Sequence, residues 1–286
     1  MRRTAVIGVV LAALLLPPRA LPPAHAGSPA VAIFRESSAR LLEQNFSASG
    51  ASYVLMDATT GTILASNLEP DRPLPLGSLL KPFTAIAYGE THSFVYPQYE
   101  CKGAAGGCWR PRGHGRLGIV EAIAHSCNAY FRALASDLSA QDVSTALAHF
   151  GLNAVDPRAN PAALFGMGDA WRATPRELLR AYLEIAQRST QPGAREVIQG
   201  MRLAARSGTG EAVSARLDAD ALVKTGTAPC THSRRGPGDG YALAIYPADT
   251  PQFALLVSLH SAPGSHAAAV GGEMLRLLTN ATRGQR

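Results

Sequence analysis

The order of local patterns along the chain predicts an α+β fold: an antiparallel five-stranded sheet flanked by helices, with an all-helical lobe inserted. Three observations carry the prediction. Strand-like runs stand near the N-terminus, at Ser52–Met56 and Thr62–Ser66, and again near the C-terminus, at Leu222–Thr227, Gly240–Tyr246 and Phe253–Leu259. Helical periodicity dominates the stretch between the two groups. Hydrophobic residues make up 47% of the 286 and charged residues only 17%, which supplies a sizeable core and excludes extended disorder as the main state.

Residues 32–46 read as an amphipathic helix, with Ile33, Leu41 and Leu42 set among charged partners. Asp57-Ala-Thr-Thr-Gly61 reads as the turn of a hairpin. Pro70, Pro73 and Pro75 lead to Gly77, and Ser78 to Glu90 is helical. Residues 91–116 form a loop rich in Gly, Pro and Cys, after which Leu117 to Phe150 is helical with breaks near Ser126 and Ser139. Thr174-Pro175 signals a helix start, proline taking the first helical position, and the helix runs on through Leu178, Leu179, Tyr182 and Ile185. A last helix covers about Ala267 to Ala281. The expected layout is an α/β lobe of about residues 27–80 and 218–286 and a helical lobe of about 81–217, with a substrate cleft between them.

Residues 1–26 are read apart from the fold. Arg2 and Arg3 precede an unbroken apolar run from Ala5 to Leu16, and Ala24-His25-Ala26 is an A-x-A cleavage pattern. Twelve apolar residues are too few for a spanning helix, which needs about 20. The expectation is a signal peptide cleaved after Ala26, hence export to the periplasm or another extracytoplasmic compartment, with residues 27–286 as the working domain. The overall charge of +6 falls to +3 without that segment, and no basic run is interleaved with aromatics, so no nucleic-acid partner is expected.

Cys101, Cys108, Cys127 and Cys230 suit an oxidising compartment and allow three connectivities. Cys101 and Cys108 close one Gly-rich loop, which favours a disulfide there. His114 is near, but no paired C-x-x-C or H-x-x-x-H spacing occurs, so no metal is expected.

Three short patterns occur in order: Ser78-Leu-Leu-Lys81, Ser126-Cys-Asn128 and Lys224-Thr-Gly-Thr227. By composition, S-x-x-K arises by chance roughly 0.2 times, S-x-N roughly 0.4 times and K-T-G roughly 0.02 times in such a chain. Lysine is scarce, with 24 of the 27 basic residues being Arg, yet two of the three lysines fall in these patterns. The chemistry is coherent. Ser78 and Lys81, three apart, share a helix face, and a serine in a first turn lies near unpaired backbone N–H groups that can hold an oxyanion. A serine hydroxyl needs a base, and a lysine with a lowered pKa can serve where Arg cannot. Lys224 supplies a further cation that attracts a carboxylate. Thr225 and Thr227 offer hydroxyls, and Gly226 leaves room for substrate along the strand edge. Ser126 can relay a proton to a leaving amine, and Asn128 can bond a substrate amide. Taken singly, each pattern has an ordinary reading: Ser78 as a helix cap, Asn128 as a turn residue, Lys224 as a solvated strand end.

With these residues in view, the chain resembles the penicillin-binding transpeptidases, whose signatures are S-x-x-K, S-D-N and K-T-G, a set shared with class A β-lactamases. Gly77-Ser-Leu-Leu-Lys-Pro-Phe-Thr84 is similar to their nucleophile helix. His114-Gly-Arg through Glu121-Ala-Ile-Ala-His-Ser-Cys-Asn-Ala-Tyr-Phe131 resembles their second-motif region. Tyr53-Val-Leu-Met-Asp-Ala-Thr-Thr-Gly61, Thr174-Pro175, Ser207-Gly-Thr-Gly210 and Ala242-Leu-Ala-Ile-Tyr246 also fit, so the likeness covers about residues 51–282. The resemblance implies a DD-peptidase/β-lactamase-like fold and acylation of Ser78 by stem peptides of peptidoglycan ending in D-Ala-D-Ala. An amine or water then resolves the acyl-enzyme, and the N–H groups of Ser78 and Thr227 form the oxyanion hole. β-Lactams acylate the same serine, no cofactor takes part, and membrane-associated cell-wall synthesis proteins are partners.

Two departures qualify these expectations. Cys127 is an unusual middle residue for the second motif, and Cys230 follows the third by three residues, so a Cys127–Cys230 disulfide across the site is an expectation of its own. The glycosyltransferase domain and N-terminal pedestal of large family members have no counterpart here, which puts acylation ahead of physiological cross-linking. A serine β-lactamase is the alternative within the fold, but no E-x-x-L-N or Tyr-x-Asn pattern supplies the deacylating base. A non-catalytic extracytoplasmic sensor of β-lactam or peptidoglycan is the other.

Overall fold

The computed structural model describes residues 29–152, 160–215, 217–230 and 238–283, so the expected signal peptide and its cleavage point lie outside the described residues. Helix α1 (Pro29–Phe46) leads into the hairpin of β1 (Ala51–Asp57) and β2 (Ile63–Ser66). Asp57 makes the turn: its Oδ1 accepts the N–H groups of Thr59 and Thr60 at 2.9 and 2.7 Å. The short strand β3 (Leu74–Pro75) then precedes a 3₁₀ turn, Gly77–Leu80, which runs directly into α2 (Lys81–Thr91).

Part of the expected 91–116 loop is ordered as a ribbon of β4 (Tyr99–Cys101) and β5 (Gly115–Leu117). Helices α3 (Ile119–Ala124), α4 (Asn128–Ala135) and α5 (Ala140–Ala148) follow, broken at Ser126 and Ser139 as the pattern predicts. Ser139 caps α5 reciprocally with Asp142. Strand β6 (Arg172–Ala173) pairs with β3, and Thr174 caps α6 (Pro175–Gln187) through Glu177. Helices α7 (Ala194–Ser207) and α8 (Glu211–Ser214) are absent from the sequence reading. Then come β7 (Leu222–Ala228), β8 (Asp239–Tyr246), β9 (Phe253–Leu259) and the terminal α9 (Gly264–Arg283).

The five long strands form one antiparallel sheet in the order β2-β1-β9-β8-β7. Alternation along the strands divides the core. Tyr53, Leu55, Val223, Ala244 and Leu255 pack with Leu42 and Phe46 of α1 and with Met274, Leu275 and Leu278 of α9. Val54, Met56, Leu222, Leu243, Ile245 and Leu256 instead face Leu79, Leu80 and Phe83 and the central helices. Burial on both faces explains why the strands read as nearly continuous apolar runs. The order leaves β7 at a sheet edge, beside the Gly77–Leu80 turn. Among the described residues no helix is long and apolar enough to cross a membrane.

Candidate active site

The Gly77–Leu80 turn is fixed from three sides. Gly77 has φ +52°, and a Cβ on it would stand 2.7 Å from the Thr227 carbonyl oxygen, so only glycine lets the turn approach β7 this closely. The hydroxyl of buried Tyr182 donates to the Leu79 carbonyl at 2.8 Å, anchoring the turn to α6. The N–H of Lys81 donates to the Ser78 carbonyl, so Ser78 and Lys81 eclipse one another on one side of a 3₁₀ turn.

The break between α3 and α4 is a device of its own. Ser126 has φ +49°, a left-handed conformation that is costly for a residue with a Cβ. In that conformation both its carbonyl and its hydroxyl turn toward Lys81, whose Nζ donates to them at 2.9 and 3.2 Å. The same amine donates to Asn128 Oδ1 at 2.5 Å and lies 5.6 Å from the centre of the Phe131 ring. From the opposite side, Lys224 Nζ donates to Ser126 Oγ at 2.9 Å and to the Thr225 carbonyl at 2.6 Å. The Ser126 hydroxyl is thus shared by two amines that are 45 and 98 residues away in sequence.

Both lysines are fully buried. Burial pushes the Lys81 amine down from 10.5 to about 7, with the thiols of Cys127 and Cys108 opposing part of that fall. Lys224 is pushed well below its ordinary value by burial and, next, by the charge of Lys81. Two ammonium groups are therefore disfavoured here, and a neutral amine beside a hydroxyl is a usable base.

Of the predicted site residues, Lys81, Ser126, Asn128 and Lys224 meet through these hydrogen bonds and the Ser78 backbone lies beside Gly226, while among the described residues the Ser78 hydroxyl makes no hydrogen bond to Lys81. A Cβ on Gly226 would point at Leu79 Cγ and at the backbone nitrogens of Leu79 and Ser78, 3.3–3.5 Å away. A methyl group there would be in near-ordinary contact with the Gly77–Leu80 turn, so β7 packs directly beside that turn. The Thr225 hydroxyl is buried against that of Thr209, leaving Thr227 as the exposed hydroxyl of the strand. Thr209, which belongs to the Ser207–Gly210 segment noted in the sequence, also binds the Ala124 carbonyl, while Met167, whose sulfur lies 4.0 Å from Asn128 Nδ2, was not singled out there.

The disulfide expectations fail. No two of the four cysteines are joined in this structure. Cys127 points away from the cleft, its sulfur 3.8 Å from that of Cys108, while Cys230 lies against His260, which pairs with Asp239 at 2.7 Å. The helix break that aims Ser126 at the lysines turns the next side chain the other way, into the β4–β5 ribbon.

A serine turn, a buried lysine pair and a bridging serine on the edge of an antiparallel sheet define a serine acyltransferase class. The penicillin binding protein transpeptidase domain matches residues 51–276, and the chain belongs to that family. No curated protein matches the chain by sequence. Among solved structures, PBP2 of Pseudomonas aeruginosa has a TM-score of 0.68 at 17% identity over 88% of this chain and 76% of that one. The transpeptidase domain of penicillin-binding protein 3 from Burkholderia pseudomallei has 0.66 at 17% over 89% and 94%. PBP2 from Helicobacter pylori, solved in complex with MreC, has 0.67 at 17% over 88% and 63%. Identities this low speak for the fold alone.

Proposed function

We propose that the chain is an exported serine D-Ala-D-Ala transpeptidase or carboxypeptidase, acylated at Ser78 by stem peptides of peptidoglycan and by penicillin. The observation that supports this best is the Ser126 hydroxyl held between the amines of Lys81 and Lys224. Neutral Lys81 takes the Ser78 proton as Ser78 Oγ attacks the carbonyl carbon of the penultimate D-Ala. The resulting oxyanion lies against the N–H groups of Ser78 and Thr227, on two backbones that the absent side chain of Gly77 allows to meet. The C–N bond then breaks, and the proton passes from Lys81 through Ser126 to the departing D-Ala amine. An amine from a second peptide, or water, attacks the ester and returns Ser78 to its free state. Thr227, the exposed hydroxyl of β7, suits the terminal carboxylate. A β-lactam opened at the same serine retains its amine on the acyl group, which keeps the ester in place.

The H. pylori relative's complex with MreC supports membrane-associated cell-wall synthesis proteins as partners. The test is labelling of the full chain with a fluorescent penicillin, followed by mass spectrometry of the labelled peptide. The adduct is expected on Ser78 and absent from Ser78→Ala. Label that persists in Ser78→Ala overturns the covalent reading in favour of a binding module. Rapid release of hydrolysed drug from Ser78 identifies a β-lactamase.

A further inference from the structure

The cysteines that form no disulfide make a second site. Cys101 ends β4, His114 immediately precedes β5, Cys108 lies in the loop between them, and Cys127 occupies the break between α3 and α4. Their ligand atoms all lie within 4.8 Å of one another. Cys108 Sγ is 3.8 Å from Cys127 Sγ, and His114 Nδ1 is 3.6 Å from Cys101 Sγ and 3.5 Å from Cys108 Sγ. Tetrahedral zinc, with bonds of about 2.3 Å to sulfur and about 2.0 Å to nitrogen, sets sulfurs about 3.8 Å apart and sulfur and nitrogen about 3.5 Å apart. The three separations given match three of that tetrahedron's six edges, and the other three are within 4.8 Å.

Other readings leave groups over. A disulfide needs sulfurs at about 2.05 Å, and joining any two of three thiols strands the third. Hydrogen bonding alone is no better, because Nδ1 has one lone pair or one proton and two sulfurs stand against it. Backbone N–H groups also reach the sulfurs: those of Arg110 and Ala129 donate to Cys108, and that of Tyr130 to Cys127. All three cysteines are buried, and His114 is covered by the rings of Trp109 and His125 at 5.5 and 5.3 Å. The loop has little freedom to be otherwise: a Cβ on Gly113 would stand 2.0 Å from the Cys101 carbonyl oxygen.

We propose that Cys101, Cys108, His114 and Cys127 bind one zinc ion that ties the β4–β5 ribbon to the turn carrying Ser126. The sequence argued against a metal because no short ligand pair occurs in it; the fold supplies the pairing, bringing His114 beside Cys101 across the ribbon and Cys127 from a separate helix break. Three sulfurs and one nitrogen leave no open coordination position, so the ion is structural. What it holds is a strained residue, since Ser126 adjoins Cys127 and has φ +49°. Zinc binding is read without turnover, so the proposal stands or falls separately from acylation.

The test is elemental analysis of the full chain, purified without added metal or chelator, with cobalt exchange as a second readout. About one zinc per chain is expected, with three of the four thiols protected from alkylation until a strong chelator is added. Exchange with Co²⁺ is expected to give thiolate charge-transfer absorption and the intense visible bands of a tetrahedral centre. Cys108→Ser and His114→Ala are each expected to lose most of the metal, and Cys230→Ser none of it. Metal-free protein that gives no such bands with Co²⁺ after thiol reduction overturns the proposal. So does peptide mapping that finds Cys101 and Cys108 joined.

Discussion

In the proposed reaction Lys81 carries most of the chemistry that a single residue can carry. Its amine is fully buried, bonded to Ser126 and Asn128, and lowered to about 7 by loss of water. A group lowered to that value is protonated below about pH 7 and neutral above it, and only the neutral form accepts a proton from Ser78. Acylation by a β-lactam is therefore expected to rise with pH through about 7, losing about tenfold for each unit below. Stopped-flow acylation across pH checks this, and a rate flat from pH 5 to pH 8 removes Lys81 as the base. Lys81→Arg is expected to abolish acylation at every pH, since guanidinium stays protonated. At this scale the sequence was informative, because Ser78, Lys81, Ser126, Asn128 and Lys224 sit in short patterns with fixed offsets. Met167 had no such offset. Its place follows from packing between segments that lie far apart in the chain.

At the scale of elements, the strands and capped helices were legible because each has a local cause: the Asp57 turn, the Ser139 and Thr174 caps, and alternation along β7 to β9. Helix α7 has an apolar period as clear as that of α6 and was open to the same reading. Its buried face combines Val197, Ile198 and Met201 with the small residues Ala194, Gly200, Ala204 and Ala205. They are small because α3 packs very close: a Cβ on Gly200 would stand 2.6 Å from Ile123 Cβ and 2.9 Å from the Val120 carbonyl oxygen. Gly200→Val must push α3 outward, at a cost of about 1–3 kcal/mol by overpacking. Because α3 ends just before Ser126, the same change is expected to slow acylation in protein that is still folded. Chemical denaturation and the acylation rate below the transition measure the two effects; a stability loss with an unchanged rate would mean that α3 does not position Ser126.

At the scale of the whole molecule, the site belongs to no single segment. Ser78 enters from a turn against the sheet edge, Ser126 from between two helices, and Lys224 from β7, whose own place depends on β8 and β9. The apolar core on this side of the sheet is continuous from Leu256 and Leu243 to Leu79, Phe83 and the central helices. No local fragment can then hold two buried lysines around one hydroxyl, and the desolvation that lowers Lys81 exists only in the assembled fold. Leu256 lies in the middle of the sheet, fully buried, and is not among the groups bonded to either lysine. Leu256→Ala is expected to cost about 2–5 kcal/mol, shifting the denaturant midpoint of the far-ultraviolet signal. Penicillin labelling of Ser78 is expected to shift by the same amount, while folded protein labels at the wild-type rate. If labelling were lost at lower denaturant than the sheet signal, the helical side would be opening on its own, and the shared core would not be what keeps the lysine pair dry.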